Sequence, residues 1–373
     1  MEALILTCST GGGHNSAAYA AAEALSLRGN GVNVMDPYTL IGEKVAKAVG
    51  GTYVRMVQIS PKMFGIVYKI GDVYRKLPVK SPVYRINGIL ASRLDKYFKE
   101  NKTDVVLCTH IFTAEMITYM RNSGMQTPKT VFIATDYTCV PFTEETSCDY
   151  YIVPSRDLND EYIRRGVPEE KLVPGGIPVR KAFRDGPSKE EARKTLGFDM
   201  RSEYIILSGG SIGAGKLRTA IRVLEPLLEP EDKRLIVLCG NNTGLYESFI
   251  EKYGGSDRIS ILKSTTDMPT YVRACDIFIG KPGGLSSTEA ATARIPTIFI
   301  SPIPGCETYN CRFFTGRGMS LAVKDIRRQL ISSIRKLESA GAADKMKRQQ
   351  EKYISGCAAS DIADFCEKIA SEN

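Results

Sequence analysis

The chain opens with Ala3-Leu-Ile-Leu-Thr-Cys-Ser-Thr-Gly-Gly-Gly-His14, an apolar run followed by three glycines and the start of a helical pattern. A similar arrangement returns at Glu203-Tyr-Ile-Ile-Leu-Ser-Gly-Gly-Ser-Ile-Gly-Ala-Gly-Lys-Leu217. In both stretches the apolar residues follow one another without alternation, which is typical of strands with both faces covered by helices. Each half of the protein is therefore predicted to begin with a strand, a loop and a helix of a parallel sheet.

Outward from these two stretches, short apolar runs alternate with helical patterns. The predicted strands are 3–8, 32–35, 104–109, 130–135, 150–153, 203–208, 234–239, 259–262, 276–280 and 297–300. The predicted helices include 14–28, 86–100, 111–122, 156–166, 215–228, 285–294 and 324–338. This order predicts an α/β protein built of doubly wound parallel sheets.

The two halves are separated by Pro174-Gly-Gly-Ile-Pro178 and the polar segment 184–193. We place a domain boundary near residue 184, which gives domains of 1–184 and 185–373. The tail, 341–371, is predicted to form one or two helices that can pack back on the first domain. Two such domains leave a cleft where the carboxyl ends of both sheets converge, and ligands bind at such ends.

The composition indicates a globular protein of the cell interior. Of 373 residues, 43% are hydrophobic and 25% charged, and no apolar run reaches the length of a membrane-spanning helix. The N-terminus lacks the basic and apolar regions of a signal peptide, so we expect a cytoplasmic protein. The ten cysteines are scattered and are expected to be free thiols. With only two histidines in the chain, we expect no metal site.

The positive charge is concentrated in one segment. Residues 55–102 contain eleven Lys and Arg against three acidic residues, with aromatic and apolar residues between them. Such a segment can be an ordinary solvated face, a surface that binds anionic lipid headgroups, or an RNA-binding surface. No nucleic-acid-binding module accompanies it, so we expect an anionic membrane surface as the partner and no nucleic acid.

The first loop that can carry chemistry is Gly11-Gly12-Gly13-His14. Glycines allow close approach of a ligand to the backbone, and the helix that follows offers unpaired N–H groups to a phosphate or an acceptor. A histidine at this position can accept a proton from an attacking hydroxyl. The alternative is a histidine at a helix start with no chemical role.

The second loop, 208–217, resembles two known motifs and fails each at one residue. It matches a P-loop except that Leu217 replaces the Ser or Thr that binds Mg²⁺. It also matches a nucleophile elbow around Ser211, but no histidine follows in the chain. The remaining interpretation is a glycine-rich loop that binds a phosphate through its backbone N–H groups, with Gly210 and Ser211 at its centre.

Two further loops follow strands of the second half. In 280–290, Gly283 and Gly284 allow backbone approach, and a helix begins beyond them. Ser286 and Ser287 can donate to phosphate oxygens, and Glu289 can accept from ribose hydroxyls; Ser286 and Glu289 can also form a capping box.

The loop 302–310 offers Glu307 and Asn310 to sugar hydroxyls or a phosphate. In the first half, Asp136 ends a predicted strand, where it is either a second base or a turn carboxylate.

Taken together, these loops resemble those of the diacylglycerol glycosyltransferases, the group that contains monogalactosyldiacylglycerol synthase. This group lies within the larger family, glycosyltransferase family 28, of the transferase that completes peptidoglycan lipid II. The resemblance is carried by Gly-Gly-Gly-His at 11–14, Thr-Asp at 135–136, Gly-Gly-Ser at 209–211, Lys-Pro-Gly-Gly-x-x-Ser-Thr-Glu-Ala at 281–290 and Pro-Gly-x-Glu-x-x-Asn at 304–310.

The resemblance implies a GT-B fold of two facing Rossmann-like domains, and metal-independent inversion at the anomeric carbon. By motif, His14 would be the base, with Asp136 also near the acceptor. Glu289 would bind the ribose, Gly210 and Ser211 the nucleotide and phosphate region. The remaining matched side chains would bind the diphosphate or the sugar: Ser287, Glu307 and Asn310.

The function that follows is transfer of a hexose, glucose or galactose, from a UDP-sugar to diacylglycerol or a related membrane glycolipid. The UDP-sugar is the donor substrate, and no other cofactor is expected. The enzyme would act at the cytoplasmic face of the membrane, peripherally associated with it. The alternatives are transfer to a polyprenyl-linked acceptor and epimerisation of a UDP-sugar on the same fold.

Overall fold

The computed structural model describes residues 1–8, 11–44, 46, 51, 71 and 80–372. The chain divides into two compact units. The first unit contains Met1–Arg180 together with Cys357–Asn373, and the second contains Lys181–Gly356. The division therefore lies at residue 180, whereas the sequence placed it near 184, and the chain returns to the first unit for its last segment.

Twelve strands occur in the part of the chain that the structure describes. They are β1 Glu2–Leu6, β2 Gly31–Met35, β3 Val105–Cys108, β4 Lys129–Ile133, β5 Tyr150–Val153, β6 Leu172–Pro174, β7 Glu203–Ser208, β8 Lys233–Leu238, β9 Ile259–Leu262, β10 Ile277–Gly280, β11 Thr297–Ile300 and β12 Leu321–Val323.

The α-helices of the described residues lie between and after these strands. They are α1 Gly12–Ser26, α2 Pro82–Asn87, α3 Ala91–Glu100, α4 Ile111–Asn122, α5 Asn159–Arg164, α6 Ala182–Asp185, α7 Lys189–Leu196, α8 Leu217–Leu228, α9 Thr243–Tyr253, α10 Met268–Ala274, α11 Gly284–Thr292, α12 Cys306–Gly316, α13 Ile326–Glu338, α14 Ala342–Tyr353 and α15 Ala358–Ser371.

Each unit contains one six-stranded parallel sheet. The order in the first unit is β2-β1-β3-β4-β5-β6, and in the second it is β12-β11-β10-β7-β8-β9. In the first sheet Leu6 of β1 is level with Cys108 of β3. In the second, Gly280 of β10 is level with Ser208 of β7 and with Phe299 of β11. Because the central strands end in register, the loops that follow them emerge side by side.

The core explains why the strand sequences do not alternate. In β1, Leu6 lies in the core on one face of the sheet, and Ile5 lies in the core on the other face. That second face is covered by α1 and α15, which contribute Leu25 and Ile362 to the same cluster. Both faces of the sheet are buried, and each buried aliphatic side chain contributes about 1.5–3 kcal/mol to the free energy of unfolding relative to an exposed one.

The predicted α/β class and all ten predicted strands are confirmed, with shifts of one or two residues at their ends. The strands β6 and β12 were missed, because three residues at a sheet edge carry too little pattern. The predicted helix 86–100 is wrong in its extent, since α2 and α3 are separate helices on either side of a short 3₁₀ turn at Gly88–Leu90. The ten cysteines are free thiols, as predicted.

Candidate active site

His14 lies in the first turn of α1, beyond the carboxyl end of β1, and is half buried. Its Nδ1 is 2.8 Å from the backbone carbonyl oxygen of Thr109, which follows β3, the neighbouring strand. The hydroxyl of Thr135, which follows β4, lies 3.0 Å from the same nitrogen. Three successive strands thus hold one imidazole in place.

These contacts determine which ring nitrogen of His14 carries the proton. A carbonyl oxygen can only accept a hydrogen bond, so Nδ1 must donate to Thr109. The Thr135 oxygen lies close enough to share that hydrogen. In the neutral ring Nε2 therefore keeps its lone pair, which is the arrangement that a proton acceptor requires.

Burial also keeps the His14 ring neutral. Desolvation lowers the pKa of His14 from its ordinary value to about 4, while the hydrogen bond to the Thr109 carbonyl raises it in part. His14 is thus unprotonated at neutral pH. The role of His14 as a base stays a prediction.

The second histidine of the chain, His110, lies against the first. The centroids of the two rings are 4.4 Å apart and their planes are 80° apart, an edge-to-face arrangement. His110 is buried, and its pKa lies well below the ordinary value because of burial and, secondarily, because a positive charge on His110 would be repelled by one on the adjacent His14. His110 was not among the predicted site residues, although it follows the apolar run of β3 closely.

The other predicted residues of the first unit are near this edge. Gly11 is the N-cap of α1 and makes no side-chain cap, and Gly12 and Gly13 form the first turn. Residues 9 and 10 lie outside the described part of the chain. Asp136 follows Thr135 directly and is half buried. Much of the predicted basic segment, 52–70 and 72–79, also lies outside the described residues.

In the second unit, three helices that follow a run of adjacent strands begin at the carboxyl edge without a side-chain cap. They are α8, α11 and α12, whose N-cap residues are Lys216, Gly283 and Gly305. They follow β7, β10 and β11, which are adjacent in the sheet. By contrast, α9 and α13 are capped by Asn242 and Asp325. Helix N-termini that lack a side-chain cap and lie side by side provide N–H donors and positive potential for an anion.

The glycine-rich loop after β7 is held against the loop after β8. Gly210 and Gly213 have φ of 68° and 63°, the left-handed region that favours glycine. A β-carbon on Gly213 would collide with the carbonyl oxygen of Cys239. The N–H of Asn241 donates to the backbone carbonyl oxygen of Ser211 at 2.8 Å, and this hydrogen bond fixes the backbone conformation around Ser211.

A buried ion pair connects the two loops that follow β10 and β11. The Nζ of Lys281 is 3.2 Å from Oε1 of Glu307, and both residues are buried. The other carboxylate oxygen of Glu307 accepts from the N–H of Ile303 at 2.7 Å. The stem of Lys281 packs beside Gly210 and Gly215. Lys281 was not among the predicted site residues, because its partner lies 26 positions away in the sequence.

The remaining predicted residues of the second unit lie on α11 and α12. Asn310 is buried and donates to the carbonyl oxygen of Pro282 at 3.0 Å, which ties the two loops together. Ser287 is buried, and its hydroxyl has no hydrogen-bond partner among the described residues.

The capping-box alternative for Ser286 and Glu289 is wrong, because α11 begins at Gly284 and puts both residues inside the helix.

No helix in the described part of the chain is long and apolar enough to cross a membrane. Within the same residues, no group of three or more His, Cys, Asp and Glu side chains could hold a metal ion.

The structure is similar as a whole to enzymes of nucleotide-sugar chemistry. A glycosyltransferase of kitacinnamycin matches with a TM-score of 0.66 and 14% identity over 99% of this chain and 98% of that one. A UDP-GlcNAc 2-epimerase from Neisseria meningitidis, bound to UDP-GlcNAc, matches with a TM-score of 0.65 and 14% identity over 99% and 100%. At such identities the likeness shows the fold alone, the two-domain GT-B type.

The family follows from the sequence comparisons. Residues 14–179 match the model of monogalactosyldiacylglycerol synthase, and residues 204–364 match that of the glycosyltransferase family 28 C-terminal domain. A processive diacylglycerol beta-glucosyltransferase of Bacillus subtilis is 26% identical over 326 residues, 86% of this chain and 82% of the relative. The chain belongs to glycosyltransferase family 28, as the resemblance implied.

Proposed function

We propose that this glycosyltransferase moves a hexose from a UDP-sugar to diacylglycerol or a related membrane glycolipid, with inversion at the anomeric carbon. The observation that carries the proposal is the state of His14: a neutral imidazole with Nδ1 bound to the Thr109 carbonyl and Nε2 left to accept a proton. It lies in the unit that matches monogalactosyldiacylglycerol synthase, and the relative from Bacillus subtilis is named for glucosyl transfer to diacylglycerol.

The first unit supplies the base. In a single displacement, the acceptor hydroxyl oxygen attacks the anomeric carbon while its proton passes to Nε2 of His14. The bond between the anomeric carbon and the diphosphate oxygen breaks, and UDP leaves with the electron pair. A positioned base contributes about 10²–10⁴-fold to such a step. Asp136, on the same edge, is assigned to the acceptor side.

The second unit holds the donor. The starts of α8, α11 and α12, which lack side-chain caps, and the ammonium of Lys281 can stabilise the negative charge that grows on the leaving diphosphate. Gly210, Ser211, Gly283 and Gly284 bring backbone N–H groups to it.

The side chains of α11 and α12 complete the donor site. Ser286 and Ser287 offer hydroxyls to the phosphates, and Glu289 accepts from the ribose. Glu307 and Asn310 keep the loops in position for the sugar. The proposal includes no metal and no other cofactor.

We extend the proposal to the membrane surface. The described end of the basic segment exposes two isoleucines, Ile86 by 61% and Ile89 by 70%, beside Arg85 and Arg93. Apolar side chains among cations fit a surface of anionic headgroups, where each cation contributes about 1 kcal/mol. The ten free cysteines suit a reducing compartment. We assign the protein to the cytoplasmic face, with no nucleic acid as partner.

The test is a transfer assay with labelled UDP-glucose and UDP-galactose. The purified protein is incubated with vesicles that contain diacylglycerol, with and without anionic lipid, and with a polyprenyl phosphosugar as the competing acceptor. The proposal requires labelled glycolipid from diacylglycerol. Label only on the polyprenyl lipid, or conversion of the UDP-sugar without any lipid acceptor, would replace it with one of the two alternatives.

Vesicle binding has its own control pair. Ile89→Ser should weaken sedimentation with anionic vesicles, because an inserted apolar side chain is lost. Leu27→Ser removes an equally exposed apolar side chain, also 70%, outside the basic segment, and should leave binding unchanged. Equal effects of the two substitutions would rule out this surface.

A further inference from the structure

His110 is a buried histidine that the proposed transfer does not use. It follows β3 directly and is the N-cap of α4. Histidine is an unusual residue for a helix cap, where Ser, Thr, Asp and Asn are preferred. A cap alone therefore does not account for an imidazole at this position.

The ring of His110 has one fixed orientation. Its Nδ1 accepts a hydrogen bond from the N–H of Phe112 at 3.1 Å, which satisfies one of the free donors of α4. The Phe112 ring packs on it edge-to-face, with centroids 4.5 Å apart and planes 69° apart. Because Nδ1 is an acceptor, the proton of the neutral ring lies on Nε2.

The fixed ring of His110 in turn limits where His14 can lie. The two rings are in edge-to-face contact at 4.4 Å, and the carbonyl that binds His14 belongs to Thr109, the residue before His110. The backbone turn at the start of α4 therefore sets both the ring contact and the hydrogen bond. Each limits rotation of the His14 ring about its side-chain bonds.

We propose that His110 is a positioning residue: its capped ring holds the imidazole of His14 so that Nε2, and not Nδ1, faces the acceptor. The proposal rests on the proposed function for its effect on catalysis, but the position of the proton on His14 can be measured without any activity.

The surroundings support this role. Among the described residues, the Thr109 carbonyl, the Thr135 hydroxyl and Phe112 contact the two rings, and none of these three groups titrates near neutral pH. Two imidazoles in contact in a desolvated place disfavour a charge on either one, and burial lowers the pKa of both. The pair thus keeps a neutral base ready at neutral pH.

The substitution His110→Asn tests the role of the ring separately from the role of the helix cap. Asparagine can still accept from the N–H of Phe112 as an N-cap, but it has no ring to pack on His14. Since the chain has only two histidines, this variant leaves a single imidazole for nitrogen-15 and carbon-13 NMR. We expect one Nδ1–H and one Nε2–H tautomer in the wild type, and in the variant a His14 that exchanges between both tautomers.

We also expect kinetic and titration effects of His110→Asn. Turnover should fall by about 10- to 100-fold through misplacement of the base, with KM for the UDP-sugar unchanged. The pKa of His14 should move up towards its ordinary value, because water reaches the ring. Retention of the single Nδ1–H tautomer, the wild-type titration and the wild-type turnover would overturn the proposal.

His110→Phe gives the reverse test and covers the case in which the Asn variant does not fold. It keeps a ring against His14 and loses the cap, so stability should fall while His14 keeps the Nδ1–H tautomer. An exchanging tautomer in this variant would contradict positioning by the ring. If the wild type transfers no sugar to any lipid, the proposed function fails, and the NMR result still decides the positioning proposal.

Discussion

The two units share one sheet topology type, yet they treat buried ionisable groups in opposite ways. Among the described residues of the first unit, the buried His110 and Glu115 are kept uncharged by desolvation. In the second unit, the buried Lys233 and Lys281 are paired with carboxylates. A histidine that accepts a proton must be neutral before the reaction, whereas a group that binds a diphosphate needs positive charge. The difference matches a division into a base unit and a donor unit.

The largest expected effect comes from removing the base. His14→Ala should reduce turnover by about 10²–10⁴-fold while UDP binds with unchanged affinity, because the donor site lies in the other unit. Steady-state transfer assays and isothermal titration with UDP measure the two quantities. Equal losses of turnover and UDP affinity would break the division, and unchanged turnover would remove His14 from the mechanism.

The next effect tests the glycine loop of the donor unit. Gly213→Ala should lower the free energy of unfolding by about 2–4 kcal/mol, because the new β-carbon collides with the Cys239 carbonyl in a left-handed backbone. Gly244→Ala is the control, since a β-carbon there meets open space. Denaturant unfolding of both variants should separate them; equal stabilities would show that the loop has another conformation.

A smaller effect is expected for the buried cation of the donor site. Lys281→Met should weaken UDP binding by about 10- to 100-fold, because a charge-assisted contact to the diphosphate contributes about 1.5–3 kcal/mol. Lys336→Met removes an exposed lysine from the last turn of α13, outside the loops assigned to the donor, and should change the dissociation constant little. If both variants bind UDP alike, Lys281 serves only to pair with Glu307.

The smallest effect concerns a buried carboxyl of the base unit. Burial, with the neighbouring carboxyl of Glu145 next, raises the pKa of Glu115 to about 10. In the unfolded chain Glu115 releases its proton near the ordinary pKa of a glutamate. The contribution of Glu115 to the free energy of unfolding is therefore fully present below that ordinary pKa and is lost as the pH rises towards 10.

Glu115→Gln should therefore stabilise the protein at pH 8 by about 1–2 kcal/mol and change little at pH 4. Thermal or urea unfolding at the two pH values measures the difference. Destabilisation at pH 8 would mean that Glu115 is charged in the folded protein.

Local patterns were enough to predict much of this molecule. The apolar runs gave ten strands, since burial on both faces leaves a clear mark in the sequence. The short edge strand β12 was missed because Leu-Ala-Val has no such mark.

Contacts between distant loops could not be predicted. His14 was predicted as a site residue because three glycines precede it and a helical pattern follows it. His110 and Lys281 can be recognised only from tertiary contacts. The register of β1 and β3 places His110 near His14, and Lys281 pairs with Glu307 on the next loop. A single sequence does not show which distant residues are in contact.

The most direct test of the base unit is the pH dependence of kcat/KM for sugar transfer, which reports ionisations of the free enzyme. Since burial lowers the pKa of His14 to about 4, the rate should stay level from pH 8 to pH 6 and fall only as the pH approaches 4. A half-maximal rate near the ordinary pKa of histidine, about 6.5, would contradict a buried, neutral His14 as the proton acceptor.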